Sequence, residues 1–282
     1  MRFGCLVGSI TFGAALLAAV VGARAQDSSK FDSAKLPDWH GQWSRIGDAR
    51  WDTTKPRLAQ QAPLTEEYQA KLAASIADQA AGGPGNDLMY KCIPPGMPRM
   101  MLGYYPLEFL FTPDVTYIVL EHMNQRRRIL TDGSGWPSRL EPRFVGYSIG
   151  TWTGADREGR YEALLIETRG LKGPRAFDSS GIPLHDDGQT VVKERIFLDP
   201  TQPNVLRDEI TTIDHALTRP WTVTRSFNRE PRPLWNEHVC AEDNHHYEIG
   251  RENYFVSGDG HLMPTRRNQS PPDLRYFGQS PK

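Results

Sequence analysis

The feature that most constrains this chain is a series of short alternating runs between Phe109 and Phe227, each cut off by turn residues. They fall near Phe109–Thr112, Val115–His122, Arg128–Thr131, Tyr147–Thr153, Tyr161–Thr168, Thr190–Leu198, Val205–Ile213 and Trp221–Phe227. A period of two marks strands that bury one face, and about eight strands suffice for an antiparallel meander to close around one small ligand. The expected fold is therefore mainly β: an antiparallel meander closing into a lipocalin-like barrel of about eight strands, with one N-terminal helix packed on it. Pro113-Asp114 and the Asp156–Gly159 tip fit hairpin turns. A Gly/Pro-rich crossing separates the third run from the phrase GYSIGTW. The chain has no internal repeat.

Only one helix is predicted, over 65–81. Thr65 is placed to cap it, Glu66 and Glu67 favour its first turn, and Tyr68, Leu72 and Ile76 form a narrow apolar stripe. Gly82-Gly83-Pro84 ends it. Three residues are too few to build a core, so the helix packs on something else. Before it, 26–63 is polar and rich in Trp, Pro and Asp, an arm whose tryptophans dock on the body. CIPPGMPRMM (Cys92–Met101) carries too many prolines for regular structure. Residues 241–282 read as a polar extension, its last dozen residues disordered.

Residues 1–25 read as a secretory signal peptide. Arg2 supplies the charge, Leu6–Val21 the apolar stretch, and Ala23-Arg24-Ala25 the small-x-small cleavage site. Gly8, Ser9, Thr11 and Gly13 break the stretch, which argues against a membrane anchor. A periplasmic or secreted protein is expected, free of the membrane once cleaved. Cys92 and Cys240 then remain as an even pair in an oxidising compartment, so a disulfide is the default. The full chain has 33 basic and 34 acidic residues. Without Arg2 and Arg24 the balance is slightly acidic, and nothing points to nucleic acid. The basic run Arg126–Arg128 has two readings, a solvated turn or a clamp for a phenolate or other anion.

Three apolar faces each carry one ionisable residue. Glu121 falls in with Val115, Tyr117 and Val119; Glu194 with Val192, Ile196 and Leu198; Arg225 with Trp221, Val223 and Phe227. If those faces turn inward, the charges must pair, bind a polar ligand or shift in pKa, because a lone buried charge costs several kcal/mol. A structural ion pair and an acid–base site both satisfy that condition. His185, in a Gly/Asp-rich loop before the strand of Glu194, is either a proton shuttle at the barrel mouth or a solvated loop residue.

Gly146-Tyr147-Ser148-Ile149-Gly150 matches the G-x-S-x-G elbow of serine hydrolases, but Thr151-Trp152-Thr153-Gly154 has no helical period to follow it. Glycines that let a strand bend or approach a neighbour explain it as well. His238, His245, His246 and His261 lack the spacing of a zinc protease, and no metal is expected. No phosphate- or dinucleotide-binding fingerprint occurs, so no cofactor is expected either.

Several ordered phrases (CIPPGMPRMM, EFLFTPD, RRRILTDG, GYSIGTW, the ERI of Glu194–Ile196, and ITTIDHALTRPWTVTR) resemble those of a large family of secreted, mostly uncharacterised bacterial proteins, over about Trp39 to Asn244. The resemblance implies a β-rich, lipocalin-like body and a Cys92/Cys240 pair. Trp136 before Pro137 and Val191 before the ER pair stand where that family often has histidine, and the hairpin after Trp152 is longer. Those departures argue against a shared histidine metal site. This branch is similar to cofactor-independent γ-formaldehyde lyases acting on lignin-derived phenylcoumaran dimers. Placing that chemistry on the strand faces read above, rather than on any motif of the lyases, makes Glu121 or Glu194 the base, Tyr147 or His185 the proton donor, and Arg225 or Arg128 the holder of the phenolic oxygen. Tyr117, Trp152 and Trp221 would wall an aromatic small-molecule substrate. The contrasting expectation is a non-catalytic carrier of the same ligand class.

Overall fold

A computed structural model describes residues 32–47, 62–103, 105–243 and 245–273. The expected signal peptide and the final residues 274–282 lie outside the described residues. Nine strands close a barrel: β1 (Gln42–Arg45), β2 (Leu107–Phe111), β3 (Val115–Leu120), β4 (Arg126–Leu130), β5 (Tyr147–Thr153), β6 (Ala163–Arg169), β7 (Val191–Asp199), β8 (Gln202–Ile213) and β9 (Trp221–Arg229). The β-barrel with one packed helix is as the alternation implied. The ninth strand is β1, which comes from the Trp-rich arm. Trp43 pairs with Leu107 of β2 on one side, and Arg45 with Phe227 of β9 on the other, so the arm closes the sheet.

One seam departs from a pure meander. β4 and β5 run parallel, Ile129 opposite Ser148 and Leu130 opposite Ile149. A parallel partner requires the chain to return along the full strand before pairing, which the crossing over 131–146 accomplishes. Gly150 lets the two strands close: a Cβ there would stand 2.6 Å from Ile129 Cγ2 and 3.0 Å from Leu164 Cδ1.

The helix α1 spans Glu66–Ala80 and buries Tyr68, Leu72 and Ser75. Thr65 holds the capping position without a side-chain capping bond. What fixes the helix start is the turn before β9, where Leu64 bridges Leu217 and Thr65 N–H donates to Ala216 O at 2.9 Å. The proline-rich stretch before β2 is irregular over 93–98 but, against expectation, ends in a 3-10 helix, Arg99–Leu102, and it sinks Met97, Met100, Met101 and Leu102 into the core.

The C-terminal extension holds regular structure that its polarity hid. A short helix α2 (Cys240–Asp243) leads into a three-stranded antiparallel sheet of β10 (His246–Ile249), β11 (Glu252–Val256) and β12 (Leu262–Pro264). Cys240 is disulfide-bonded to Cys92, Cα atoms 5.6 Å apart, and Arg266 pairs with Asp78 near the end of α1. These links tie the sheet to the body without a large apolar face, so little hydrophobic pattern announces it. Among the described residues no helix is long and apolar enough to cross a membrane.

Candidate functional site

Side chains from β4, β5, β6, β7, β8 and β9 are buried inside the barrel. Alternation turns Arg127 and Ile129 of β4 inward and leaves Arg126 and Arg128 outside. Arg127 therefore meets Glu194 of β7 inside the barrel, both side chains fully buried. Nη1 donates to Oε1 at 2.8 Å and Nη2 to Oε2 at 2.5 Å. Arg127 also donates to Ser148 Oγ at 3.1 Å and to Thr168 Oγ1 at 2.7 Å, and those two hydroxyls share a 2.8 Å bond. A bidentate arginine whose Nε and Nη2 also donate to hydroxyls is the arrangement in which a buried pair repays its desolvation. Ser148 accordingly lies near the start of β5, within the strand, with an arginine and a threonine for partners, not on a nucleophile elbow.

Beyond this pair lies a second group of buried charges. Asp208 of β8 stands opposite Arg225 of β9, and both point inward. Neither carboxyl oxygen of Asp208 has a hydrogen-bond partner among the described residues. Burial, reinforced by the charge of Glu194, pushes its pKa well above the ordinary carboxyl value, against the opposing pull of Arg127 and Arg225. Burial and then Arg45 press Arg225 down to about 10, while Asp178 and Asp208 support its charge. Asp178, on the loop between β6 and β7, is also buried; Ser180 donates to it through N–H at 2.9 Å and through its hydroxyl. Burial raises its pKa, with Ser180, Arg225 and Arg99 opposing.

This row of charges leads to the end of the barrel where β3 finishes. A pocket of about 170 Å³ opens there, with Met89, Pro95 and Leu102 as its apolar wall and Arg99, Tyr105 and His122 as its polar groups. The turn after β3 presents His122 through two successive left-handed residues, Met123 at φ 53° and Asn124 at φ 48°. The His122 ring stacks on Tyr105 at 4.1 Å and meets His238 edge-on at 5.0 Å. His238 Nδ1 accepts from Met123 N–H at 3.1 Å. Nε2 of His122 is buried and has no hydrogen-bond partner among the described residues. Burial first, then the charges of His238 and Arg99, lower its pKa to about 4, with Asp87 acting the other way. The imidazole is thus neutral at ordinary pH. Asp87 grips Arg99 with bonds of 2.9 and 2.8 Å.

The residues singled out in the sequence do not form one cluster. Glu194 and Arg225 enter the barrel as their strand faces implied, but Glu194 is engaged by Arg127. Glu121 corrects the face assignment of β3. Thr116, Ile118 and Leu120 are the inward set, and Tyr117 and Val119 face out. Glu121 lies just past the strand, buried, where its Oε2 accepts from Asn236 N–H at 3.0 Å. Both faces of β3 carry apolar residues, so alternation alone does not say which of them turns inward. Arg128 reaches the Tyr117 ring at 5.9 Å on the outer surface. Tyr147 is on the outward set of β5 with the Arg143 guanidinium 4.4 Å from its ring.

Trp152 joins Trp39, Phe111 and Tyr161 in an aromatic cluster at the other end of β3 from the pocket. Trp221 is core, its ring 4.4 Å from Phe177. His185 stacks on Tyr68 of α1 at 5.5 Å, and its N–H donates to Asp214. Arg127, Asp208 and the pocket residues were missed. The alternation of β8 would have placed Asp208 inside with Leu206 and Ile210, whereas the three alike arginines of β4 do not single out Arg127 and no periodic signal marks Arg99, Tyr105 or His122. The late histidines disperse, and among the described residues no group of three or more His, Cys, Asp or Glu is placed to hold a metal. Compared with protein-family models and with curated proteins, the chain matches none.

Proposed function

We propose that the protein is an exported, cofactor-independent lyase that performs acid–base chemistry on an aromatic small molecule, releasing formaldehyde from lignin-derived phenylcoumaran dimers in the His122 pocket. One observation carries the reading: a neutral, buried imidazole with an uncommitted Nε2 lines a pocket that also holds an arginine and a phenol. A volume of about 170 Å³ is below that of drug-sized sites, so it takes one substituted ring and leaves the second ring outside. The Cys92–Cys240 bond is compatible with export.

The chemistry requires proton movement only. The free phenol of the dimer gives its proton to solvent water, and the furan Cα–O bond breaks with its electron pair going to the other phenolic oxygen, which Tyr105 protonates. In the resulting quinone methide, His122 accepts the γ-hydroxyl proton. The Cβ–Cγ pair becomes the Cα=Cβ bond, formaldehyde leaves, and the ring regains aromaticity. The rearomatised oxygen and Tyr105 recover the protons. Arg99, held by Asp87, stabilises the phenolate as charge develops.

Purified protein incubated with phenylcoumaran dimers and no cofactor should release formaldehyde. His122→Phe should lower the rate about 100-fold, the lower bound for a general acid–base group. Glu121→Gln tests the adjacent carboxylate in the same assay. The engagement of Glu194 by Arg127 favours a second reading, a carrier of the same ligands, and binding without formaldehyde release would select it.

A further inference from the structure

We propose that a separate cleft, between α1 and the loop over 174–186, binds an organic monocarboxylate, with Arg175 holding the carboxylate and Tyr68 and Leu184 receiving an apolar body. The cleft has a volume of about 560 Å³, within the range of small-molecule sites. Arg175 is 8 % exposed. Its Nη2 donates to Thr190 Oγ1, which in turn donates to Asp214 Oδ2 at 2.5 Å. Nε and Nη1 are buried and have no acceptor among the described residues. Guanidinium donors left without acceptors in the interior are costly, and an anionic carboxylate oxygen accepting a charge-assisted bond from Nη1 is the group that offsets this best; Nε–H and Nη1–H diverge, so they form no single fork.

The shape of the cleft supports the same ligand. Beside Asn86 and Leu88 lies a recess of about 20 Å³ whose walls include both Arg175 and Arg99. That is the space of roughly one water, enough for a carboxylate oxygen and too small for a ring. The outer cleft is wide and largely apolar, with Lys71 Nζ 4.0 Å over the Tyr68 ring at its rim. Lys71 is already bonded to Glu67. Asp78, tied to Arg266, and Asp186 also line the cleft. These carboxylates oppose a second negative charge, so the ligand class is a monoanion on an apolar or aromatic body.

Isothermal titration of the full-length protein with 3-phenylpropanoate, 3-phenylpropanol and phenyl phosphate tests this independently of formaldehyde release. The carboxylate should bind about tenfold or more tighter than the alcohol, the least expected for charge-assisted hydrogen bonds. It should also bind tighter than the phosphate ester. Ala74→Trp, which fills the exposed cleft wall, should abolish binding, as should Arg175→Gln if its melting temperature stays near that of the wild type. His122→Phe should leave binding intact. If Arg175→Gln does not fold, Ala74→Trp decides. Equal affinity for acid and alcohol, preference for the phosphate ester, no carboxylate binding at millimolar concentration, or binding retained in Ala74→Trp would each overturn the proposal.

Discussion

Arg127 and Glu194 meet inside the barrel with two parallel hydrogen bonds and no exposure to solvent. This pair decides how the interior is to be understood. A carboxylate gripped at both oxygens is not a free base. The inward arginine holds β4 to β7 across the barrel, with Ser148 and Thr168 completing its shell.

Truncating one partner should cost far more than replacing both. Arg127→Met or Glu194→Leu alone should lose about 3–5 kcal/mol of unfolding free energy, because each strands a buried charge. The double variant should lose much less than the sum of the two. Urea denaturation of the three variants measures it, and additive losses would refute the coupling.

His122 should make stability fall in acid. Its folded pKa of about 4 lies below the ordinary value of 6.5, so the unfolded chain binds the proton more readily. The native state keeps its full advantage above pH 6.5 and loses it as pH falls towards 4, by on the order of 3 kcal/mol. Comparing wild type with His122→Phe at pH 7.5 and 4.5 isolates the effect. The difference in unfolding free energy between the two proteins should shift against the wild type at the lower pH.

Asp208 should act with the opposite sign. Burial raises its pKa, so above the unfolded value of 3.8 the native state holds a proton that the unfolded chain releases. Stability attributable to this residue therefore declines as pH rises from 3.8 towards the raised pKa. Asp208→Asn keeps the shape and removes the titration. It should gain stability over the wild type as pH increases from 5 to 8, and a constant difference across that range would show that the carboxyl is not perturbed.

The disulfide should matter for more than the C-terminal sheet. It closes a separation of 148 residues between the segment before β2 and the segment after β9. Replacing Cys92 and Cys240 by serine should cost about 5 kcal/mol in the chain-entropy description. Calorimetric melting under identical buffer conditions checks it. An unchanged midpoint would mean that the remaining contacts already hold the two segments together in the unfolded ensemble.

Strand alternation explains which residues were legible. In β7 and β9 the apolar residues on one face run unbroken, so Glu194 and Arg225 could be placed inside from sequence alone. In β3 both faces carry apolar residues, Val115, Tyr117 and Val119 on one and Ile118 and Leu120 on the other. Alternation puts Glu121 with Val115, Tyr117 and Val119, but that face is the outer one and Glu121 lies past the strand end. In β4 the three consecutive arginines are chemically alike and are followed by an apolar residue on each face, Ile129 and Leu130, so only the tertiary structure, with Arg127 opposite Ile118, selects it as the buried one. The closing strand β1 is four residues long and sits in a polar arm, too short to show a period.

By itself the sequence determined a closed β-sheet, a single docked helix, and a cysteine pair able to bridge the ends of the barrel. These follow from local periodicity and composition, which every segment carries in its own residues. The tertiary structure alone decided that Glu194 would be neutralised by Arg127, that Asp208 would stand beside Arg225, and that Arg99, Tyr105 and His122 would share a pocket. Those relationships join residues from distant segments, and a charge's chemistry is set by the partners and solvent that folding brings to it.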